Sequence, residues 1–210
     1  MGVPDWMRIA AAELERERDR LNRLDADIGD GDHGANMARG FAAVVARLDG
    51  APEDHPATEL RGVGMTLLST VGGAAGPLYG SFFIGMATAL REAGPEPEVG
   101  PSEWAAAFSA GVAGVQRRGR AEPGDKTMVD ALVPAREALD AAAGGGASLA
   151  EALRAAAEAA DQGAQETIPL VARKGRASYL GERSAGHLDP GAVSSALLLR
   201  AAAEAWGETR

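Results

Sequence analysis

The chain has 210 residues, a formal net charge of −9 and an aromatic content of only 4%. An acidic chain lacks the basic footprint that binds nucleic acid or anionic membranes, so neither partner is expected. The absence of cysteine excludes disulfide frameworks and thiolate chemistry. Without a signal-like leader or an apolar run of about 18 residues, the sequence predicts a cytoplasmic protein with no membrane span. The length suits a single domain over residues 1–210.

Apolar residues recur at helical three-four spacing, and no alternating stretch predicts a strand. Eight amphipathic helices are predicted, which indicates an all-α fold: an antiparallel up-and-down bundle or barrel. The first predicted helix begins with a cap at Asp5 and reaches Ile28, the second runs from about Met37 to Gly50 before Ala51 and Pro52, and the third from about Leu60 to Val71. The fourth runs from Pro77 to Arg91 with an end near Gly94, and the fifth begins at Ser102, after a polar connector (95–101), and carries Trp104, Phe108, Val112 and Val115 before the loop at 119–127. The sixth runs from Met128 through a kink at Pro134 and past Leu139, the seventh from a capping box at Ser148 and Glu151 to about Val171, and the eighth from a cap at Asp189 with Pro190 in the first turn.

The turn between the first two helices reads D-A-D-I-G-D-G-D-H-G over residues 25–34. Its glycines free the backbone to turn tightly, so Asp25, Asp30 and Asp32 can converge on one point. Carboxylates held so near to one another repel unless a cation lies between them. Hard divalent ions such as Mg²⁺ prefer oxygen ligands. An EF-hand calcium loop is excluded because its twelfth position, counted from Asp25, is Asn36 where glutamate is required.

The charge of such a site indicates a phosphorylated ligand. Two divalent cations against three carboxylates leave about one positive charge, which suits a polyphosphate whose oxygens the metals bridge. A solvated turn is the alternative, since Asp and Gly are common in turns. The density of aspartate and glycine between two strongly periodic helices favours the metal site.

Two further loops are chemically unusual. The stretch G-G-A-A-G (72–76) precedes the helix predicted at Pro77, and such glycines serve either phosphate binding or close packing. The loop G-R-A-E-P-G-D-K-T (119–127) misses the phosphate-binding P-loop pattern by the inserted Asp125, and no strand precedes it. It is therefore a nucleotide lid or an ordinary surface loop.

The last loop, residues 173–191, carries Arg173, Lys174, Arg176 and Arg183, and a basic cluster suits a phosphorylated ligand or a solvated patch. In an antiparallel bundle alternate loops share an end, so this loop and the three above are expected at the same end of the molecule. No Ser-His-Asp arrangement is predicted, and His55, in a polar linker, is expected to have no role.

Together these segments resemble the nucleotide-binding L subunit of dihydroxyacetone kinase, which also forms the C-terminal domain of the ATP-dependent dihydroxyacetone kinases. The resembling segments are L-D-A-D-I-G-D-G-D-H-G-A-N-M, G-G-A-A-G-P-L-Y-G, G-D-K-T-M-V-D-A-L-x-P-A and G-R-A-S-Y-L-G-E-R-S-A-G-H-x-D-P-G. The resemblance implies an eight-helix barrel with the nucleotide at one end. It also implies that Asp25, Asp30 and Asp32 are the catalytic and metal-binding residues, holding two Mg²⁺ ions, with Asp27 a bystander.

The same resemblance implies a set of ADP- or ATP-binding residues. Ala74 and Ala75 stand where the family often has a serine, so a hydroxyl contact to phosphate is not expected there. The implied nucleotide-binding residues are His33, Gly34, Ala35, Asn36, Ala74, Ala75, Gly119, Met128, Arg176, Leu188, Asp189 and Pro190.

The resemblance implies that the protein is one half of a kinase and acts together with other subunits. Bound ADP is rephosphorylated by a phosphocarrier M subunit of the phosphotransferase system, and ATP then delivers its γ-phosphoryl group to dihydroxyacetone held on a separate K subunit. A homodimer is expected. Two alternatives stay open: a component of a kinase that exchanges ATP and phosphorylates another small ketose, and a non-catalytic nucleotide-binding regulatory protein. The three aspartates argue against the regulatory protein, and the sequence leaves the phosphoryl donor open.

Overall fold

The computed structural model describes residues 2–50, 55–93 and 99–207, and every regular element in these ranges is helical, as predicted. There are nine α-helices and one 3₁₀ helix in this part of the chain. The α-helices are α1 (Val3–Arg16), α2 (Arg18–Ile28), α3 (His33–Gly50), α4 (Pro56–Thr70), α5 (Ala75–Ala93), α6 (Pro101–Gly119), α7 (Val129–Gly144), α8 (Leu149–Glu166) and α9 (Pro190–Gly207), and the 3₁₀ helix is Arg176–Ser184.

The helices pack around one main hydrophobic core. From α3 to α9 each α-helix contacts the next, and α1 contacts both α3 and α9, so the contacts close into a ring. Trp6 of α1 is central to that closure. Its ring centroid lies 5.6 Å from that of Phe83 and 6.2 Å from that of Trp104, and its Nε1 donates to the Leu198 carbonyl at 2.8 Å. The contact with Trp104 is edge-on, and edge-on aromatic contacts stabilise beyond the area that they bury.

Glycines allow α5 and α6 to approach until their backbones touch. A Cβ atom would lie 2.7 Å from the Ala110 carbonyl oxygen if added at Gly85, and 2.8 Å from the Ser81 carbonyl oxygen if added at Gly114. Real Cβ atoms essentially never come that close, so these positions accept only glycine without a shift of the helices. The many small residues in the sequence thus set the spacing between helices.

The predicted first helix is two helices, which meet at Glu17 (φ −90°, ψ 1°). Next to this bend α3 begins against α2, and a Cβ on Gly34 would collide with the Arg18 carbonyl oxygen. The predicted cap at Asp5 is wrong. The helix begins at Val3 with Gly2 before it, because Pro4 fits the first turn, where no N–H is needed.

Other boundaries differ by a few residues. Helix α5 begins at Ala75 and α6 at Pro101, slightly before the predicted starts, and α8 ends at Glu166. Pro134 lies inside α7. The predicted stop at Ala51 and Pro52, the helix end near Gly94 and most of the connector (95–98) lie outside the described residues.

Side-chain caps define three helix starts. The Ser148–Glu151 capping box is present as predicted, and Asp189 caps α9 by accepting the Ala192 N–H at 2.7 Å. His55, for which no functional role is predicted, caps α4, since its Nδ1 accepts the Ala57 N–H at 3.1 Å. Within the described ranges, no helix is long and apolar enough to cross a membrane.

Candidate functional site

The four unusual loops meet at a cavity of about 190 Å³. We call them the acidic turn (25–34), the glycine stretch (72–76), the central loop (119–127) and the basic loop (173–191). Each contributes lining residues to the same cavity, which confirms the prediction that the four loops share one end of the molecule. The convergence brings carboxylates, a helix N-terminus and basic side chains around one space.

The acidic turn draws three carboxylates together. Asp25, in the last turn of α2, accepts the backbone N–H groups of Asp32 at 2.9 Å and His33 at 3.2 Å, which folds the turn back over α2. Two glycines are required for this. Gly31 has a φ of 79°, and a Cβ on Gly29 would collide with the Asp25 carboxylate. As a result, one oxygen each from Asp25, Asp30 and Asp32 lies within 4.8 Å of the other two, as predicted.

This cluster is electrostatically crowded. Burial raises the pKa of Asp25, and the neighbouring Asp30 adds to the rise, against the backbone N–H groups that lower it. Asp30 is also paired with Arg176 at 3.0 Å. Asp27 lies outside the cluster and faces Nδ1 of His187 at 3.6 Å. Three convergent carboxylate oxygens on a cavity wall are the donor set that a hard divalent cation such as Mg²⁺ prefers, so the residues fit that ion.

The central loop, predicted to be a nucleotide lid or an ordinary surface loop, is anchored by buried hydrogen bonds, and its role as a lid stays a prediction. Lys126, only 1% exposed, donates through Nζ to the carbonyl oxygens of Thr167, at 2.5 Å, and of His187. The inserted Asp125 accepts the Glu122 N–H at 2.9 Å, which closes the loop on itself. A buried ammonium group needs such carbonyl partners, so Lys126 links the central loop to the basic loop through His187.

Asp189 lies at the floor of the cavity. Burial raises the pKa of its carboxyl group to about 7, with Asp130 and Asp25 raising it further and Lys126 opposing them. The Asp189 carboxylate caps α9, and the backbone N–H of Asp189 donates to Thr167 Oγ1 at 3.0 Å. The group therefore changes charge near neutral pH.

Most of the predicted site residues line the cavity. They are Asp25, Asp30, Asp32, His33, Asn36, Ala74, Ala75, Met128, Arg176, Asp189 and Pro190. Of the basic cluster, Lys174 and Arg176 line it, whereas Arg173 and Arg183 do not.

Four predicted nucleotide residues stand outside the lining: Gly34, Ala35, Gly119 and Leu188. The Ala35 N–H donates to Asn22 at 3.0 Å. A Cβ on Gly119 would lie 3.1 Å from Leu78, a lining residue, so Gly119 is behind the wall. Leu188 packs against the main core. Their roles in nucleotide binding stay predictions.

Sequence reasoning did not assign a role to Tyr79. It lines the cavity, is 1% exposed, and its hydroxyl lies 2.7 Å from Ser194 Oγ. The two residues are 115 positions apart, so no local pattern links them. The available signal was the place of Tyr79 within the G-G-A-A-G-P-L-Y-G segment.

The comparisons with known proteins all indicate the same family. A family model described as the DAK2 domain matches residues 27–204. The ADP-binding subunit DhaL of the PEP-dependent dihydroxyacetone kinase of Escherichia coli (strain K12) is 45% identical over 198 residues, covering 94% of this chain and 93% of that protein. The DhaL subunit of PEP-dependent dihydroxyacetone kinase 2 of Listeria innocua is 48% identical over 190 residues, covering 90% of this chain and 86% of that protein.

A solved structure is similar over the whole fold. The crystal structure of the dihydroxyacetone kinase from C. freundii in complex with AMP-PNP and Mg²⁺ matches with a TM-score of 0.72 and 30% identity. The match covers 96% of this chain and 33% of that chain, so this chain corresponds to about a third of that enzyme.

Proposed function

Since this chain belongs to the DAK2-domain family, we propose that it is the ADP/ATP- and magnesium-binding subunit of a dihydroxyacetone kinase. It is a phosphotransferase component that acts only together with partner subunits. One observation carries the proposal: three carboxylates that fit a divalent cation lie in a cavity that also presents basic side chains and a helix N-terminus. The relatives that match over most of both chains are ADP-binding kinase subunits.

The metal part of the proposal assigns two Mg²⁺ ions to Asp25, Asp30 and Asp32. When bound, the ions supply the positive charge that a polyphosphate needs. Ala74 and Ala75 lie at the start of α5, where free backbone N–H groups attract phosphate, and Arg176 faces the same cavity. Asp27, paired with His187, has no part in binding the metals.

The nucleotide part extends the site to two layers. To the first layer we assign the nucleotide contacts of five residues that line the cavity: His33, Asn36, Met128, Asp189 and Pro190. The second layer shapes the first and consists of Gly34, Ala35, Gly119 and Leu188. Gly34 supports the proposal because its missing Cβ lets the N-terminus of α3 approach α2 and so sets His33 beside the aspartates of the acidic turn.

The transfer step needs no nucleophile from this chain. In-line phosphoryl transfer depends on positioning and on neutralisation of charge, so the acceptor can be brought by another subunit. We place dihydroxyacetone on a K subunit and assign the rephosphorylation of bound ADP to a phosphocarrier M subunit. A homodimer, a cytoplasmic location and a single domain over residues 1–210 complete the proposal, with α1 and α2 as one bent helix of an eight-helix antiparallel bundle.

The test begins with the nucleotide that the protein retains. The protein is purified without added nucleotide and denatured, and the released nucleotide is identified by chromatography, with and without earlier chelation of magnesium. We expect ADP in an equimolar amount, lost after chelation. A protein that is empty and binds ATP only with added magnesium would favour an ATP-exchanging kinase for a small ketose. Failure to bind under both conditions would contradict the proposal.

A second measurement separates a kinase from a regulatory protein. The purified chain is mixed with a K subunit carrying dihydroxyacetone, and dihydroxyacetone phosphate is measured with an M subunit and phosphoenolpyruvate-driven phosphocarriers or with ATP as donor. Product formed with the phosphocarrier donor is the expected result. Nucleotide binding without product from either donor would indicate the regulatory protein instead.

A further inference from the structure

A chain of buried hydroxyl groups lies behind the cavity and ends on His33. Nε2 of His33 lies 2.8 Å from Ser194 Oγ, which lies 2.7 Å from the Tyr79 hydroxyl, which lies 2.9 Å from Ser195 Oγ. Ser195 Oγ lies 2.8 Å from the Gly191 carbonyl oxygen, where the chain ends. The two serines and Tyr79 are almost completely buried, so water does not supply missing partners.

A count of hydrogens fixes the direction of this chain. Each hydroxyl group carries one hydrogen, and the terminal carbonyl oxygen can only accept. The chain of hydroxyl groups has four contacts shorter than 3.0 Å but only three hydroxyl hydrogens. If Nε2 of His33 accepted a hydrogen from Ser194, one of the four contacts would bring two oxygen atoms together with no hydrogen between them. If Nε2 donates, each contact has its hydrogen.

The favoured direction therefore runs from His33 to Ser194, to Tyr79, to Ser195 and to the Gly191 carbonyl oxygen. A buried hydrogen-bond acceptor pair without a hydrogen costs on the order of 1–3 kcal/mol, so the reverse direction is disfavoured. The direction does not depend on the charge of His33, because Nε2 carries a hydrogen in both the neutral Nε2–H form and the charged ring.

We propose that Tyr79, Ser194 and Ser195 are positioning residues that keep the hydrogen of His33 on Nε2 and leave Nδ1 to accept a hydrogen bond from the nucleotide. The inference rests on the proposed nucleotide site, since His33 lines that cavity. With Nε2 committed to Ser194, Nδ1 is the ring nitrogen left for a ligand. In a neutral ring of this form Nδ1 accepts and does not donate, so its partner is an O–H or N–H group of the nucleoside and not a phosphate oxygen.

The first experiment reads the tautomer directly in the ligand-free protein. The protein has only three histidines, so ¹⁵N-histidine labelling gives a spectrum in which each ring is assigned by single His→Gln variants. Long-range ¹H–¹⁵N correlation spectra distinguish a ring protonated on Nε2 from one protonated on Nδ1. We expect His33 to show only the Nε2–H pattern at neutral pH. An Nδ1–H pattern in the wild-type protein would overturn the inference.

Tyr79→Phe tests the role of the chain of hydroxyl groups with little change in the shape of the side chain. Without the tyrosine hydroxyl, Ser194 can either accept from His33 and donate to the Gly191 carbonyl oxygen, 3.1 Å away, or donate to His33. Both tautomers then satisfy the remaining groups, so an Nδ1–H fraction appears, as it does for Ser194→Ala. The matched control is Ser81→Ala on the same helix, whose hydroxyl donates to the Pro77 carbonyl oxygen outside the chain. An unchanged His33 spectrum in both Tyr79→Phe and Ser194→Ala would overturn the positioning role.

Nucleotide analogues identify the group of the nucleotide that donates to Nδ1 of His33. Binding of ADP, 2′-deoxy-ADP, 3′-deoxy-ADP and inosine diphosphate is compared between the wild type and His33→Phe, with magnesium present. We expect one analogue, which lacks the donor, to lose roughly two- to tenfold in affinity on the wild type and to lose nothing further on the variant. The lost group, ribose hydroxyl or purine amine, identifies the partner. If no analogue shows this coupling while ADP still binds, the acceptor role of Nδ1 is wrong and the proposed function stands.

Discussion

At the residue scale, three aspartates of the acidic turn differ from the fourth, Asp27, in the direction that their carboxylates take. Asp30 contributes to the oxygen cluster and is paired with Arg176, whereas Asp27 faces His187 outside it. Both side chains are on the surface of the same short turn, so they form a matched pair for substitution. The comparison separates metal binding from a general loss of negative charge.

We expect Asp30→Asn to abolish phosphoryl transfer. The loss should exceed the roughly 10–100-fold that removal of an outer-shell partner of a metal costs, because a direct ligand is removed. Retention of ADP should weaken as well, while circular dichroism shows an unchanged helical fold. Asp27→Asn is the control, with transfer close to that of the wild type. Equal transfer by wild type and Asp30→Asn would show that Asp30 is not a metal ligand.

Asp189 makes the stability of the protein dependent on pH. Its folded-state pKa of about 7 is above the ordinary 3.8, so the folded chain binds this proton more tightly than the unfolded chain. The stability that this group contributes is complete below pH 3.8 and is lost as the pH rises through about 7.

Asp189→Asn should remove this dependence, because the amide keeps an oxygen for the Ala192 N–H and carries no charge. The variant should gain stability relative to the wild type between pH 5 and pH 8, on the order of 2–4 kcal/mol. Urea unfolding in the presence of a chelator measures this difference in stability between the variant and the wild type. Parallel stability curves for the two proteins across this range would contradict the raised pKa.

At the element scale, the contact between α5 and α6 depends on glycine. Gly114→Ala would place a methyl group 2.8 Å from the Ser81 carbonyl oxygen, so the helices must separate. We expect a loss of roughly 1–3 kcal/mol in the free energy of unfolding. Gly144→Ala, at the end of α7 with nothing within 4 Å of the new Cβ, should be neutral or stabilising by up to about 1 kcal/mol. Equal effects of the two substitutions in urea unfolding would argue against close packing.

The central and basic loops form a second element-scale unit through Lys126. Lys126→Met would leave the carbonyl oxygens of Thr167 and His187 without their buried partner. We expect a loss of about 2–5 kcal/mol of stability and faster proteolysis within the basic loop. The control is Lys174→Met, which changes the only other lysine of the chain, a half-buried residue of the basic loop. If both variants resist proteolysis equally, Lys126 does not tie the loops together.

At the scale of the whole molecule, four loops from distant parts of the sequence share one cavity, so a ligand there should stabilise the entire fold. ADP with magnesium at about 100 times its dissociation constant should add about 2.7 kcal/mol. For a chain of this size that corresponds to a rise of about 5–10 °C in Tm. Differential scanning fluorimetry measures the rise, and chelation of magnesium should remove it. A Tm that responds equally to ADP with and without magnesium would contradict a joint metal and nucleotide site.

Much of the site was predictable because it is encoded in short segments. The turn that joins Asp25, Asp30 and Asp32 is local: glycines and backbone hydrogen bonds within nine residues bring the carboxylates together. The helices were predictable for a similar reason, since apolar periodicity reports which face is buried. The bend at Glu17 was not predictable, because the apolar pattern continues through it and the close contact is made with α3.

The sequence by itself determined the all-helical fold, the acidic turn and the four loops that carry the chemistry, because spacing, capping and turn formation act over a few residues. Only the tertiary structure decided that Lys126 is buried and ties two loops together, and that the pKa of Asp189 is near 7. The same holds for Tyr79, which reaches a serine 115 positions away. Burial and hydrogen-bond partners are properties of packing between distant segments, and no local pattern of residues specifies them.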